Sequence, residues 1–203
     1  MITTVPSSAE VLVPLAPAQF LFDIQLERGF VVMSHVRFFL LCAFGAAILA
    51  LAACHAGQAA EPTIIFLVRH AEKASGSGDV PLSDAGKARS EVLRGIIGPL
   101  RPGAIYVTDT VRARETAQPT GKDTGLDLKV YNPQQGGWHQ TLLKEAAGKT
   151  ILVVGHTNTI PELIKPLTGV QLTIGEHEFD NLFIISIDST GAHLVRLRYG
   201  KAT

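Results

Sequence analysis

The chain has 203 residues, of which 46% are hydrophobic and 18% are charged, a composition typical of one globular domain with an additional apolar segment. Lysine and arginine together number 18, as do aspartate and glutamate, so no excess of positive charge favours nucleic acid as a partner. The two cysteines, Cys42 and Cys54, lie in or at the end of that segment, which excludes disulfides and cysteine zinc sites from the rest of the chain.

The apolar segment is typical of an export signal. It runs "HVRFFLLCAFGAAILALAAC" from His35 to Cys54, with one basic residue ahead of roughly 16 apolar ones, about the length of the hydrophobic part of a secretory signal. A membrane-spanning helix usually needs ~20 apolar residues. We therefore expect a signal peptide, lipobox and short linker over residues 33–60, with translation starting at Met33. Residues 1–32 are then either a misannotated start or a disordered extension.

The end of this segment is compatible with three kinds of processing. "LAAC" resembles the bacterial lipobox, in which Cys54 becomes the lipidated first residue of the mature protein. Ordinary cleavage after the small residues near Ala59 and Ala60 is the alternative, and an uncleaved anchor is the third. Each predicts an exported protein, periplasmic or lipid-anchored in the bacterial envelope, that contacts the membrane only through the lipid anchor or the uncleaved signal.

Strand and helix patterns alternate over residues 61–203. Apolar runs predict strands at "TIIFLV", "GAIYVTD", "DLKVY" and "TILVVGH", and a terminal hairpin from "NLFIISID" and "AHLVRLRY". Helices are predicted at "LSDAGKARSEVLRGIIGPL" with Ser83 as N-cap, "TVRARETAQPT" ending near Pro119, "QTLLKEAAG" ending at Gly148, and "TIPELIKPLTG" with Pro161 in its first turn. This alternation predicts a single α/β domain with a mainly parallel central sheet.

Cationic and imidazole side chains follow several of the predicted strands. The first strand ends in Arg69 and His70, Arg112 follows the second, and "ILVVGH" ends in His156. Ligands of such sheets bind at the carboxyl ends of the strands, and grouped cations repel one another unless an anion lies between them. The planar fork of arginine suits a phosphoryl group. A metal site is the main alternative for paired histidines, but arginines would repel a dication, so we expect neither metal nor cofactor.

Four motifs in these segments resemble a known family. "LVRHAEK" is similar to the R-H-[GA]-E motif of the histidine phosphatase superfamily, which has the phosphoglycerate mutase-like fold. "PLSDAGKARS" resembles its L-[ST]-x-x-G-x-x-[RQ]-A segment, and "YVTDTVRARETA" its S-x-x-x-R-[AT]-x-[EQ]-T-A segment, with Thr108 where serine is commoner. "VVGHTNTIP" resembles its second-histidine motif. The motifs occur in order over residues 63–190, and the resemblance implies a three-layer sandwich with helices flanking the sheet.

The resemblance also implies roles for individual residues. His70 is the expected nucleophile, forming a phosphohistidine, and neighbouring cations are expected to lower its pKa and keep it neutral. The implied activity is that of a metal-independent phosphatase acting on phosphomonoesters or phosphohistidine, in a small phosphorylated substrate or a phosphoprotein. The side chains expected to bind the phosphoryl group and the substrate are Arg69, Arg112, His156, Thr157 and Asn158.

The general acid is not assigned by these motifs. Thr157 follows His156, so the histidine–aspartate pair of some relatives is absent. Glu72 and Glu145 are the candidates, while Glu115 is interpreted as structural. Two residues further from the motifs are also considered, Asp79 and His139.

Two other functions remain open at this point. The chain could be a non-catalytic lipoprotein that binds phosphate or a phosphorylated ligand on the same fold, although binding alone needs no nucleophile such as His70. A cytosolic phosphohistidine phosphatase with a wrong gene start is the other, and the apolar segment argues against it. The polar loop at residues 176–180 is interpreted as solvated, with a place beside the substrate as the alternative. Neither the natural substrate nor the oligomeric state follows from the sequence.

Overall fold

The computed structural model describes residues 61–203. The strands are β1 (Thr63–Arg69), β2 (Ala104–Thr108), β3 (Leu128–Tyr131), β4 (Thr150–Gly155), β5 (Asn181–Asp188) and β6 (Gly191–Arg198). The helices are α1 (Asp84–Ile97), α2 (Val111–Thr124), α3 (Trp138–Ala146) and α4 (Thr159–Thr168), and a 3₁₀ turn at Gly98–Leu100 follows α1. Elements of the predicted type therefore occur in the predicted order.

The predicted features of the first sixty residues lie outside the described part of the chain. These are the extension over residues 1–32, the signal region over residues 33–60 and the lipidation site at Cys54. Within residues 61–203, none of the helices combines the length and the apolar character that crossing a membrane requires.

The six strands form one sheet in the order β3-β2-β4-β1-β5-β6. β1 pairs with β4 in parallel, as β2 does with β3 and β4, whereas β5 is antiparallel to both β1 and β6. The sheet is therefore mixed, and the prediction of a mainly parallel sheet is wrong. The physical reason is that the terminal hairpin, which was predicted, pairs directly with the edge of β1 and extends the same sheet.

The apolar run of β1 supplies two hydrophobic clusters. Ile65 and Leu67 are buried in a cluster that also includes side chains of α3 and α4. Phe66 and Val68 are buried in a second cluster with side chains of α1 and α2. Successive side chains of a strand point to opposite faces of a sheet, so a strand buried on both faces has a continuous rather than an alternating apolar sequence.

The second helix does not end near Pro119 as the sequence predicts. It continues to Thr124 and ends at Gly125, whose φ of 70° lies in the left-handed region that glycine adopts readily. Ala117 and Thr120, on either side of the proline, are fully buried. Packing of this helical face outweighs the one backbone hydrogen bond that a proline removes.

Candidate active site

His70 directly follows β1, at the carboxyl end of the sheet. Its backbone N–H donates to the Gly155 carbonyl at 2.9 Å, and its ring is almost completely buried. The ring nitrogen Nδ1 lies 2.8 Å from the Ala71 carbonyl oxygen. Because a carbonyl oxygen only accepts hydrogen bonds, Nδ1 carries the proton in this pair. The lone pair of Nε2 is therefore available for attack on a substrate.

His156 lies next to His70, although the two histidines are 86 positions apart in the sequence. The ring centroids are 5.2 Å apart in an edge-on arrangement. Nε2 of His156 is 2.8 Å from the Thr108 hydroxyl oxygen, and its backbone N–H donates to the Thr159 hydroxyl at 2.8 Å. The ends of β2 and β4 and the start of α4 thus hold the second histidine against the first.

Arg69 is a buried cation with unused donor capacity. Its Nη1 donates to the backbone carbonyls of Gly175, at 3.1 Å, and Glu176, at 2.5 Å. The guanidinium carbon lies 4.1 Å from the centre of the Phe179 ring, within cation–π range. Its Nε is buried and has no hydrogen-bond partner among the described residues. A buried donor of this kind is costly unless it binds a ligand, and an anion would suit it.

Arg112 approaches the site from the first turn of α2. Its Nη1 lies 3.2 Å from Asp79 Oδ1, and four-fifths of its side chain is shielded from solvent. Asp79 also accepts the Val111 N–H at 3.0 Å with each carboxylate oxygen, while Thr110 caps the helix by accepting from Ala113. The position of Arg112 is therefore determined by the start of the helix and by one carboxylate.

The environment keeps both histidines neutral. The pKa of His70 is lowered to about 3, mainly by burial. The Ala71 carbonyl opposes this shift, and the charges of Arg69, His156 and Arg112 add to it. Burial, followed by the charges of Arg112 and Arg69, lowers the pKa of His156 to about 4. The predicted direction is confirmed, but burial rather than the cations is the larger cause. Within residues 61–203, no three or more His, Cys, Asp or Glu side chains are grouped to hold a metal ion.

Residues of the "YVTDTVRARETA" motif hold the backbone that follows His70. Thr116 accepts a hydrogen bond from the Ala71 N–H at 3.0 Å and donates its own to the Arg112 carbonyl at 2.7 Å. Glu115 accepts the Leu82 N–H at 2.6 Å, which confirms its structural interpretation. The Thr116 side chain therefore ties the segment after the nucleophile candidate to the helix that carries Arg112.

Residues of the "PLSDAGKARS" motif contact the same backbone segment after His70 from the other side. Ser83 donates to the Glu72 carbonyl through both its backbone N–H, at 2.9 Å, and its hydroxyl, at 3.2 Å. A Cβ at Gly86 would lie 2.1 Å from that carbonyl oxygen. Glycine is needed here because α1 begins in direct contact with the backbone that follows His70.

The sequence model of the histidine phosphatase superfamily (branch 1) matches residues 65–132, which include His70 and Arg112 but not His156. The resemblance to this superfamily is confirmed. No curated protein sequence matches the chain significantly.

Solved structures show the same fold. Protein histidine phosphatase SixA complexed with tungstate superposes with a TM-score of 0.55 at 16% identity, over 66% of this chain and 96% of that chain. A mycobacterial glucosyl-3-phosphoglycerate phosphatase gives a TM-score of 0.54 at 15% identity, over 70% and 100%. A putative phosphohistidine phosphatase SixA from Agrobacterium tumefaciens gives 0.50 at 22%, over 66% and 97%.

Asp79, one of the carboxylates considered as a general acid, pairs with Arg112, whereas the other two, Glu72 and Glu145, are bound elsewhere. Glu72 receives hydrogen bonds from Arg89, with Nε 3.0 Å from both oxygens and Nη2 2.7 Å from one. Burial raises the pKa of Glu72, the Arg89 bonds lower it, and the net pKa lies below its usual value. Glu145 accepts from the Tyr106 hydroxyl, which lowers its pKa. Both are therefore ionised and are poor proton donors, and neither hydrogen-bonds to His70.

Thr157 and Asn158 come directly after His156, ahead of α4. Thr157 is half-buried and Asn158 is exposed. The backbone of Asn158 is already helical, and its side chain does not cap the helix. The two residues lie at the sheet edge where the sequence puts them, and their contact with a substrate stays a prediction.

The loop before β5 contributes a residue that the sequence analysis missed. The Phe179 ring covers Arg69, and its centroid lies 6.0 Å from that of His70. The neighbouring Asp180 is buried and accepts a hydrogen bond from Arg198, so this part of the loop is not solvated as interpreted. An isolated phenylalanine in a polar loop carries no sequence signal for this position.

Proposed function

We propose that the chain is a phosphatase that hydrolyses phosphomonoesters or phosphohistidine through a phosphohistidine intermediate on His70, without a metal ion. The observation that carries the proposal is the neutral His70 ring, whose Nδ1 is hydrogen-bonded to Ala71 while Nε2 has no hydrogen-bond partner among the described residues. Arg69 and Arg112 supply positive charge nearby. A histidine with only a structural role would not need this combination of a free nitrogen and adjacent cations.

In the first step, the Nε2 lone pair of His70 forms a bond to phosphorus. The bond from phosphorus to the leaving oxygen breaks, and that oxygen keeps the electron pair and takes a proton from water. Arg69, Arg112 and His156 bind the phosphoryl oxygens and stabilise the charge that develops on them. The neutral state of His70 matters because a protonated imidazole has no lone pair to donate.

In the second step, a water oxygen bonds to the phosphorus of the phosphohistidine. The N–P bond breaks, its electron pair returns to Nε2, and the water releases a proton that replaces the one taken up in the first step. Inorganic phosphate and neutral His70 result. This two-step route needs the same cationic side chains twice, since both transition states carry the same phosphoryl oxygens.

Phosphohistidine is included as a substrate because two neighbours of this fold are named as protein histidine or phosphohistidine phosphatases. Because these neighbours share at most 22% of their sequence with this chain, they support the fold alone. A small phosphomonoester is therefore proposed as a substrate alongside phosphohistidine. We also propose a three-layer arrangement, with helices on both faces of the sheet. It is supported by the two hydrophobic clusters, to which alternate residues of β1 contribute.

The test uses the full chain with p-nitrophenyl phosphate, with and without a chelator. We expect chelator-resistant turnover that His70→Asn lowers by at least ~10³-fold, since a nucleophile has no substitute here. His193→Asn is the matched control, because His193 is an exposed histidine on β6. Loss of activity with the chelator would reject metal independence. Absence of turnover on any phosphoester, with retained tungstate binding, would instead favour the non-catalytic phosphate-binding protein.

We also propose that the protein is exported and is either periplasmic or lipid-anchored in the bacterial envelope. The apolar segment that ends at Cys54 supports this proposal. Metabolic labelling with palmitate should mark the full chain, and Cys54→Ser should abolish the label while Cys42→Ser retains it. Labelling that survives Cys54→Ser would reject the lipoprotein form, and recovery of the protein in the cytoplasm would reject export.

A further inference from the structure

A cleft of about 560 Å³ adjoins the site beside His156. His156 and Thr108, which are hydrogen-bonded to each other, form part of its lining, together with the loops that follow β2 and β3. Small-molecule sites usually occupy about 300 to 1,000 Å³, so the cleft has the size of a ligand site. The part of a substrate that lies beyond its phosphoryl group would extend into this cleft.

The lining of the cleft combines polar and apolar groups in similar proportion, and its polar groups are mostly uncharged. Val130, Tyr131 and Pro133 supply the apolar part. The hydroxyls of Thr108 and Thr110 lie on the β2 side, and the amides of Asn132, Gln134 and Gln135 lie on the β3 side. Asn132 Oδ1 accepts the Gln134 backbone N–H at 3.0 Å, which orders the turn. The amide groups of Gln134 and Gln135 are exposed and form no side-chain hydrogen bonds with the described residues. They are therefore available to a ligand.

The charge of the cleft disfavours an anionic leaving group. No lysine or arginine is among its described lining residues, and Asp109 is the single charged one. The Asp109 side chain is 78% exposed and pairs with Arg114 at 2.7 Å. A second phosphate or a carboxylate would lose water here without a cation among the described lining residues to compensate it.

From this lining we propose that the cleft binds a neutral, hydroxyl-rich leaving group, so that the substrate is the phosphomonoester of a sugar or polyol. Amide groups both donate and accept hydrogen bonds, as hydroxyls do, so they match the hydrogen-bonding groups of a sugar or polyol. This inference rests on the proposed phosphatase function and adds to it the chemical class of the leaving group.

The first test compares kcat/KM of the full chain for glucose 6-phosphate and 3-phosphoglycerate, with p-nitrophenyl phosphate as reference. We expect glucose 6-phosphate to exceed 3-phosphoglycerate by about tenfold or more, the scale of one or two hydrogen bonds. Combining Gln134→Ala with Gln135→Ala should lower the ratio of glucose 6-phosphate to p-nitrophenyl phosphate by a similar factor. Gln118→Ala is the matched control, because Gln118 is exposed on α2 and lines a different cavity.

The second test reverses the preference. Gln134→Lys adds a cation to the cleft and should raise kcat/KM for 3-phosphoglycerate relative to glucose 6-phosphate. A wild-type preference for 3-phosphoglycerate, or ratios that the glutamine variants leave unchanged, would overturn the inference. If p-nitrophenyl phosphate is hydrolysed in a His70-dependent way, either result leaves the phosphatase function intact. If no His70-dependent hydrolysis occurs, the proposed function itself fails.

Discussion

The carboxylate of Asp79 lies 3.2 Å from the guanidinium of Arg112, one of the residues proposed to bind the phosphoryl group. The same carboxylate accepts the Val111 N–H at the start of α2. Asp79 therefore uses the arginine and the helix terminus that would otherwise be free for an anion. If Arg112 binds the phosphoryl group as proposed, inorganic phosphate would compete with the Asp79 carboxylate for this cation, and the carboxylate would limit how tightly phosphate binds.

Removing this charge should strengthen product inhibition. Two like unit charges about 6 Å apart repel each other by roughly 0.7 kcal/mol in bulk water and by more near a protein surface, so Asp79→Asn should lower the inhibition constant of phosphate about threefold or more. Steady-state inhibition measurements test this, with Asp84→Asn, a fully exposed carboxylate on α1, as the control. Weaker inhibition in Asp79→Asn would mean that the carboxylate mainly positions Arg112.

The pH profile should reflect the neutral histidines. Because the pKa values of His70 and His156 are lowered to about 3 and about 4, both rings stay unprotonated as the pH falls from 7 to 5. We expect kcat/KM for an aryl phosphate to be constant over this range, after correction for the second ionisation of the substrate at a pKa of about 6. An additional acid limb near pH 6.5 that belongs to the free enzyme would contradict this assignment.

The buried pair of Glu72 and Arg89 should contribute strongly to stability. Their side chains are 19% and 3% exposed, and Arg89 also donates to the carbonyls of Tyr199 and Lys201. Arg89→Met leaves the carboxylate and both carbonyls unpaired, so we expect a loss of about 3 kcal/mol in the free energy of unfolding. Urea denaturation measures it. Lys87→Met, which breaks an exposed pair, should cost less than about 0.5 kcal/mol, and equal losses in the two variants would refute the argument.

Gly155 should be sensitive to the addition of a single methyl group. A Cβ there would lie 2.6 Å from the Thr159 hydroxyl and 2.8 Å from the Tyr131 hydroxyl. Gly155→Ala should cost about 1–3 kcal/mol of stability and should also lower kcat/KM, because Thr159 holds the backbone of His156. Gly95→Ala is the control.

In Gly95→Ala the new methyl group meets no atom within 4 Å, so this exposed helical position should gain up to about 1 kcal/mol. Melting curves and aryl phosphate kinetics together separate the two variants. Unchanged activity in Gly155→Ala would show that the end of β4 can move without displacing His156.

The order of the elements could be predicted from the sequence because the signals involved are local. The continuous apolar runs of β1 and β4 indicate strands covered on both faces, and the Ser83 cap marks the start of α1. The convergence of His70 and His156 was also predictable, since both follow strands whose carboxyl ends share one edge of a parallel arrangement. Here local patterns and one topological rule were sufficient.

Other features required the tertiary structure because they depend on where distant segments meet. The sequence pattern of the terminal hairpin does not say which strand it joins, and only its pairing with β1 makes the sheet mixed. From the sequence, Glu72 and Glu145 are both candidate general acids. Only the structure shows that their carboxylates are hydrogen-bonded to Arg89 and Tyr106. By itself the sequence determined the type and order of the elements, and it placed Arg69, Arg112 and the two histidines at the carboxyl edge of the sheet. The tertiary structure decided how the charges are paired, because hydrogen bonds between loops have no periodicity along the chain.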